Sequence, residues 1–200
     1  MDIKINALET VERVIIKELD VLINSCSGAP FIKFLPLVTS IEYLGACADN
    51  HPFNINEIDA SNKSGITTKR FRDGLKLLGK KYEKYAKSNS KIDFYKDLRC
   101  GMVHNLKPTN SKITLSERRH QTNGIPANMS TADDGSVCII LEDFYEDIKC
   151  AALKLLETRT KGKLPNNKKV DAPNLRIKNV STSDYDSFET TGGTESNISE

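Results

Sequence analysis

"DFYKDLRCGMVHNL", residues 93–106, spaces its apolar side chains as an amphipathic helix does. Phe94, Leu98, Met102 and Leu106 recur every fourth position and predict a face turned toward a core, and Pro108 stops the helix just beyond it. Arg99 and His104 stand on its polar side.

Helical spacing continues in both directions. Upstream, "TTKRFRDGLKLLGKKYEKYAKS", residues 67–88, reads as one basic helix with Phe71, Leu75, Leu78, Tyr82 and Tyr85 as its seam. Before it, residues 54–60 suggest a short turn of helix in a polar connection. "FIKFLPLVTSIEYLGACAD", residues 31–49, is apolar on most sides and belongs at the centre, with Pro36 marking its first turn or kinking it. Residues 6–26 form another helix with one buried stripe, Leu8, Val11, Leu19, Leu22 and Ile23 among it. Downstream the period changes. "SKITLSER" (111–118) and "GSVCIILED" (135–143) are enriched in Ile, Thr and Val and predict a small two-stranded ribbon joined by a long polar loop. Helix five follows over residues 141–159 through Phe144, Ile148 and Leu155. The expected architecture is mainly all-α, a bundle of about five helices with a β-ribbon before the last. It occupies residues 1–160, and a polar, disordered tail is expected at 161–200.

The 200 residues carry 29 Lys and Arg against 27 Asp and Glu, a formal charge of +2, so any nucleic-acid contact must be local. The five cysteines (Cys26, Cys47, Cys100, Cys138, Cys150) are scattered, with no CxxC pair, and read as reduced, mostly core-filling thiols. Tryptophan is absent and no glycine-rich phosphate loop occurs, which argues against a P-loop or dinucleotide enzyme. No cofactor or metal is expected. With no uninterrupted apolar run long enough for a membrane span and no signal-peptide layout at the start, a cytoplasmic protein is expected.

The chemistry candidates are Arg99 and His104. Histidine gives and takes a proton near neutral pH, and arginine holds a phosphate with a fixed fork of donors. Together these suffice to cleave RNA without a metal, one group removing the 2′-hydroxyl proton and the other steadying charge on the phosphoryl oxygens. The plain alternative is polar trim on a packed helix.

An Arg, four residues, then His on the fourth helix of an all-helical domain, in "YKDLRCGMVHN", resembles the HEPN superfamily (higher eukaryotes and prokaryotes nucleotide-binding). It is similar to the "LRxGxxH" form of uncharacterised bacterial relatives. The resemblance spans about Phe31 to Glu157 in architecture and implies an endoribonuclease, often a toxin or defence effector, acting as a homodimer. It makes His104 the acid or base and Arg99 the phosphate clamp; Glu42 and Asn105 are separate candidates for a supporting role. Cys100 departs from the Asn, Asp or His that often follows the arginine, and Leu106 from the Tyr of one toxin subgroup. A non-catalytic binding or dimerisation module of the same fold is the alternative.

Positions five apart on a regular helix diverge by about 140°. One site therefore needs a loosened turn, which Gly101 would permit, or a second chain. Glu42, a carboxylate on the apolar central helix, either pairs with Arg99 or lies on an exposed edge. Lys69, Arg70, Arg72 and Lys80, with Arg118 and Arg119 beside the long loop, are candidate RNA-backbone contacts or simply a solvated face. His120 is a candidate substitute base, and His51 reads as turn chemistry.

Overall fold

The computed structural model describes residues 7–25, 28–118 and 127–160. The tail expected at 161–200 lies outside them, as do Cys26, Arg119 and His120. Among the described residues the protein is a mainly helical bundle of seven helices, with a two-stranded sheet before the last.

Helix α1, residues 7–24, buries Ala7, Val11, Ile15, Leu19 and Ile23, one residue in every four. On a 3.6-residue helix that spacing drifts by about 40° per step. The middle of α1, Val11–Glu18, is wound as a wider π-helix, which keeps the stripe on one face. Helix α2, Pro30–Ala48, is central, with Phe34, Leu37, Val38, Ile41 and Leu44 buried. Pro36 sits inside it rather than in its first turn, and the Ser40 hydroxyl donates to the Pro36 carbonyl at 2.7 Å. Although charged residues interrupt it, α2 is long and apolar enough by composition to cross a membrane, with a mean hydropathy of 1.3. Half of that stretch is buried in the bundle, and it carries the ion-paired Lys33 and Glu42.

A single turn, α3 (Ala60–Lys63), precedes α4, Ile66–Leu77. Helices α2 and α4 touch backbone to backbone: a Cβ added at Gly45 would lie 1.8 Å from the Arg70 carbonyl oxygen, and one at Gly74 1.9 Å from that of Ile41. Only glycine fits at either point. The basic helix expected over residues 67–88 is broken at Gly79, whose φ of 111° suits glycine alone. The chain resumes as α5, Lys80–Glu83, and a 3-10 turn, Lys84–Ala86. The seam survives the break, since Phe71, Leu75, Leu78, Tyr82 and Tyr85 are all buried.

Helix α6, residues 94–105, is π-helical over Phe94–Cys100 and α-helical over Gly101–Asn105. Its buried Phe94, Leu98 and Met102 again recur every fourth residue. Asp93 caps it, accepting from the backbone N–H groups of Tyr95 (3.0 Å) and Lys96 (3.4 Å). Leu106, expected on the core face, instead ends the helix in a left-handed conformation and is exposed.

Strands β1 (Ile113–Ser116) and β2 (Val137–Ile140) pair in parallel, with Ile113 opposite Val137. Parallel neighbours cannot be joined by a tight hairpin, which accounts for the long connection between them. Helix α7, Leu141–Thr160, closes the core through Phe144, Tyr145, Ile148, Ala152 and Leu155.

Candidate functional site

Arg99 projects from the last turn of the π-helical part of α6 toward α2. Its Nε donates to Glu42 Oε2 at 3.0 Å and its Nη2 lies 2.9 Å from the same oxygen. Both side chains are 19% exposed, so the pair is neither solvated nor sealed. The guanidinium also lies 5.8 Å from the centre of the Tyr95 ring.

The pair lines a cleft of about 240 Å³. Its other walls include Thr39, Tyr43, Phe53 and Arg70. Tyr43 and Phe53 meet with ring centres 4.8 Å apart. The Tyr43 hydroxyl donates to the Ala7 carbonyl at 3.1 Å, and burial pushes its pKa up to about 12. Arg70, read from sequence as an RNA contact, is buried and turned inward. It donates to Asp49 Oδ2 (2.7 Å), to the Phe53 carbonyl (3.2 Å) and to the Pro52 carbonyl (2.6 Å). These three partners hold the guanidinium inward, and it fixes the loop that presents Phe53. His51 belongs to the same turn, its backbone N–H donating to Asp49 Oδ1 at 2.9 Å.

His104 is exposed on the last turn of α6 and does not line this cleft; Asn105 beside it is exposed too. The loosened turn ends before the motif's centre. Gly101 has ordinary helical angles, φ −58° and ψ −50°. Its missing side chain serves another purpose, since a Cβ there would lie 2.6 Å from the Lys107 carbonyl oxygen of the chain folding back after the helix. Within one chain, therefore, Arg99 faces Glu42 and His104 faces outward.

Of the basic candidates, Lys69 and Arg72 line one open cleft with Thr68, Asp73 and Lys76, and Lys80 is exposed. Arg72 is held by Asp93 at 2.8 Å, which ties α4 to the cap of α6. Arg118 is spent locally, its guanidinium on Asp143 and its backbone N–H on Glu142 at 2.8 Å. Arg119 and His120 lie outside the described residues. Among those residues no group of three or more His, Cys, Asp or Glu is placed to hold a metal ion. Of the four described cysteines, Cys47 is half-buried against the core, Cys100 and Cys138 are half-buried, and Cys150 is exposed.

Sequence reasoning missed two buried polar clusters. Lys33 and Glu117, 4% and 3% exposed, lie 3.9 Å apart and join α2 to the end of β1. Tyr82 donates to Asp147 Oδ2 at 2.6 Å, and Asn128 donates to the same oxygen at 3.1 Å. Burial and the Asp147 carboxylate hold the Tyr82 hydroxyl far above the usual tyrosine range. An i+4 hydrophobic seam hides both clusters, because a helix's period says which side chains face inward and not which polar atoms meet them there.

No protein-family model matches this chain, and no curated protein or solved structure matches it either.

Proposed function

We propose that the protein is a HEPN-like endoribonuclease that cleaves RNA without a metal, in a site completed by a second copy of the chain. The observation that carries this reading is the divergence of Arg99 and His104 on α6. Gly101 is regular helix, so a loosened turn does not unite the pair, and apposition of two motif helices is the arrangement left. Exposed His104 side chains would then face the cleft of the other copy.

In that site His104 removes the 2′-hydroxyl proton of the substrate, and the oxygen attacks the adjacent phosphorus. The bond from phosphorus to the 5′-oxygen breaks, a protonated imidazole supplies the leaving oxygen's proton, and a 2′,3′-cyclic phosphate remains. Arg99 steadies the phosphoryl oxygens. Among the described residues Glu42 is its only hydrogen-bonding partner and engages Nε and Nη2, which leaves Nη1 for an incoming oxygen.

A second reading has its own support. The Arg99–Glu42 pair staples α6 to α2, which is what a binding or dimerisation module without chemistry would also use it for. Incubating the protein with mixed RNA in EDTA, beside His104→Ala and Arg99→Ala, separates the two. Loss of cleavage in both variants and cyclic-phosphate ends in the wild-type products support the enzyme. An inert wild type, unchanged variants, or a strictly monomeric protein that still cleaves would overturn it.

A further inference from the structure

The cleft beside Arg99 holds more than a phosphate clamp needs. A phosphate on Arg99 has no use for the acceptor positions that Glu42 leaves open, and two aromatic side chains, Tyr43 and Phe53, line the same cleft. The geometry points to a nucleobase subsite that selects guanine, with the base against Tyr43 and Phe53 and its N1–H and 2-amino group donating to Glu42. This deepens the ribonuclease reading and rests on it only for the base belonging to RNA.

The argument runs from chemistry to shape. Unpaired bases are bound by stacking on aromatic rings and by hydrogen bonds to their Watson–Crick edge. Guanine alone presents two neighbouring N–H donors there, the complement of a carboxylate. Adenine and cytosine set a donor beside an acceptor, and uracil flanks one donor with two acceptors. A carboxylate has about four acceptor positions, so Glu42 can receive a base while Oε2 serves Arg99. The arginine keeps that carboxylate oriented and offsets its charge.

The walls are fixed before any ligand arrives. The Tyr43 hydroxyl is anchored on the Ala7 carbonyl at 3.1 Å. Phe53 is held through its own carbonyl by Arg70 at 3.2 Å, and the Arg70 guanidinium lies 5.9 Å from the centre of the Phe53 ring. Arg70 is thus a positioning residue for the Phe53 side of the cleft. The cleft's volume of about 240 Å³ admits one purine ring system.

Nucleosides test this without involving cleavage or the phosphate clamp. Guanosine, inosine, 1-methylguanosine and adenosine are titrated into the full chain by calorimetry and ligand-observed NMR. Guanosine should bind, inosine more weakly for want of the 2-amino group, and 1-methylguanosine and adenosine about 10- to 100-fold more weakly. Glu42→Gln should erase most of that preference. Phe53→Leu, which leaves the Glu42–Arg99 pair in place, should weaken all four ligands and keep their order, and circular dichroism shows that each variant is folded. Adenosine binding as tightly as guanosine, or no saturable guanosine binding by the folded wild type, overturns the subsite. RNA cleavage with no guanosine binding would sink this inference alone, and guanosine binding with no cleavage would sink only the ribonuclease.

Discussion

Arg99 and Glu42 stand 57 positions apart in the chain and meet with two guanidinium nitrogens on one carboxylate oxygen, at 3.0 and 2.9 Å. The contact sets the direction of the arginine and closes one side of the candidate site. Replacing either partner leaves a half-buried charge without its counter-charge. Arg99→Ala and Glu42→Ala should each lower stability by about 1–2 kcal/mol, less than for a sealed pair because water still reaches both groups. Urea melts of the two single variants and the double variant should show a favourable coupling energy. Strictly additive losses would mean that the pair contributes nothing.

His104 is a different kind of residue. It is exposed at the end of α6, so His104→Ala should shift stability by no more than about 0.5 kcal/mol. RNA cleavage should fall at least about 100-fold, the usual contribution of a general acid or base. A variant that loses activity and melting temperature together would point to a structural histidine.

The α2–α4 crossing permits no added carbon. Gly45→Ala and Gly74→Ala would each drive a methyl group into backbone of the facing helix, and each should cost about 3 kcal/mol or more. Gly28→Ala, where nothing lies within 4 Å of the added carbon, should cost only the strain of its positive φ. Thermal melts that rank Gly28→Ala as the most damaging of the three would contradict the crossing as described.

Alkaline pH should loosen the fold through Tyr43. Its folded pKa, raised from 10.0 to about 12 by burial, lies above the unfolded value. The contribution is therefore complete below pH 10 and lost as pH rises toward 12. The stability difference between the wild type and Tyr43→Phe, followed by urea unfolding, should shrink across that window. A constant difference would place the hydroxyl in water in both states.

Much of the bundle was legible because apolar spacing reports burial directly. The residues 71, 75, 78, 82 and 85 are buried as their period requires, even across a helix break. The break itself was written in Gly79, yet a glycine inside a helical pattern looks the same whether the chain turns there or not. Strand direction was illegible, since short β-branched runs carry no sign of which way their neighbour points. Arg70 was misjudged because it stands in a basic run beside exposed Lys69; what holds it inward is Asp49 and the carbonyls of Pro52 and Phe53, about twenty residues away in sequence. For the candidate site, the Arg99–Glu42 pairing was one of two readings that a lone carboxylate on an apolar helix left open, whereas the packing of Tyr43 on Phe53 at its edge was not foreseen. An aromatic residue's value to a site depends on which loop holds it, and here that loop is fixed by the misjudged arginine.

The Tyr145 hydroxyl donates to the Ile16 carbonyl at 2.9 Å, and Lys149 reaches Asp20 at 2.6 Å, so α1 is fastened by the last helix of the fold. A ribosome adds roughly 5–20 residues per second. The apolar stripe of α1 therefore emerges many seconds before the surface that covers it exists. Nascent chains stalled short of residue 141 should expose that stripe to chaperones, whereas chains extended past residue 160 and clear of the exit tunnel should bury it.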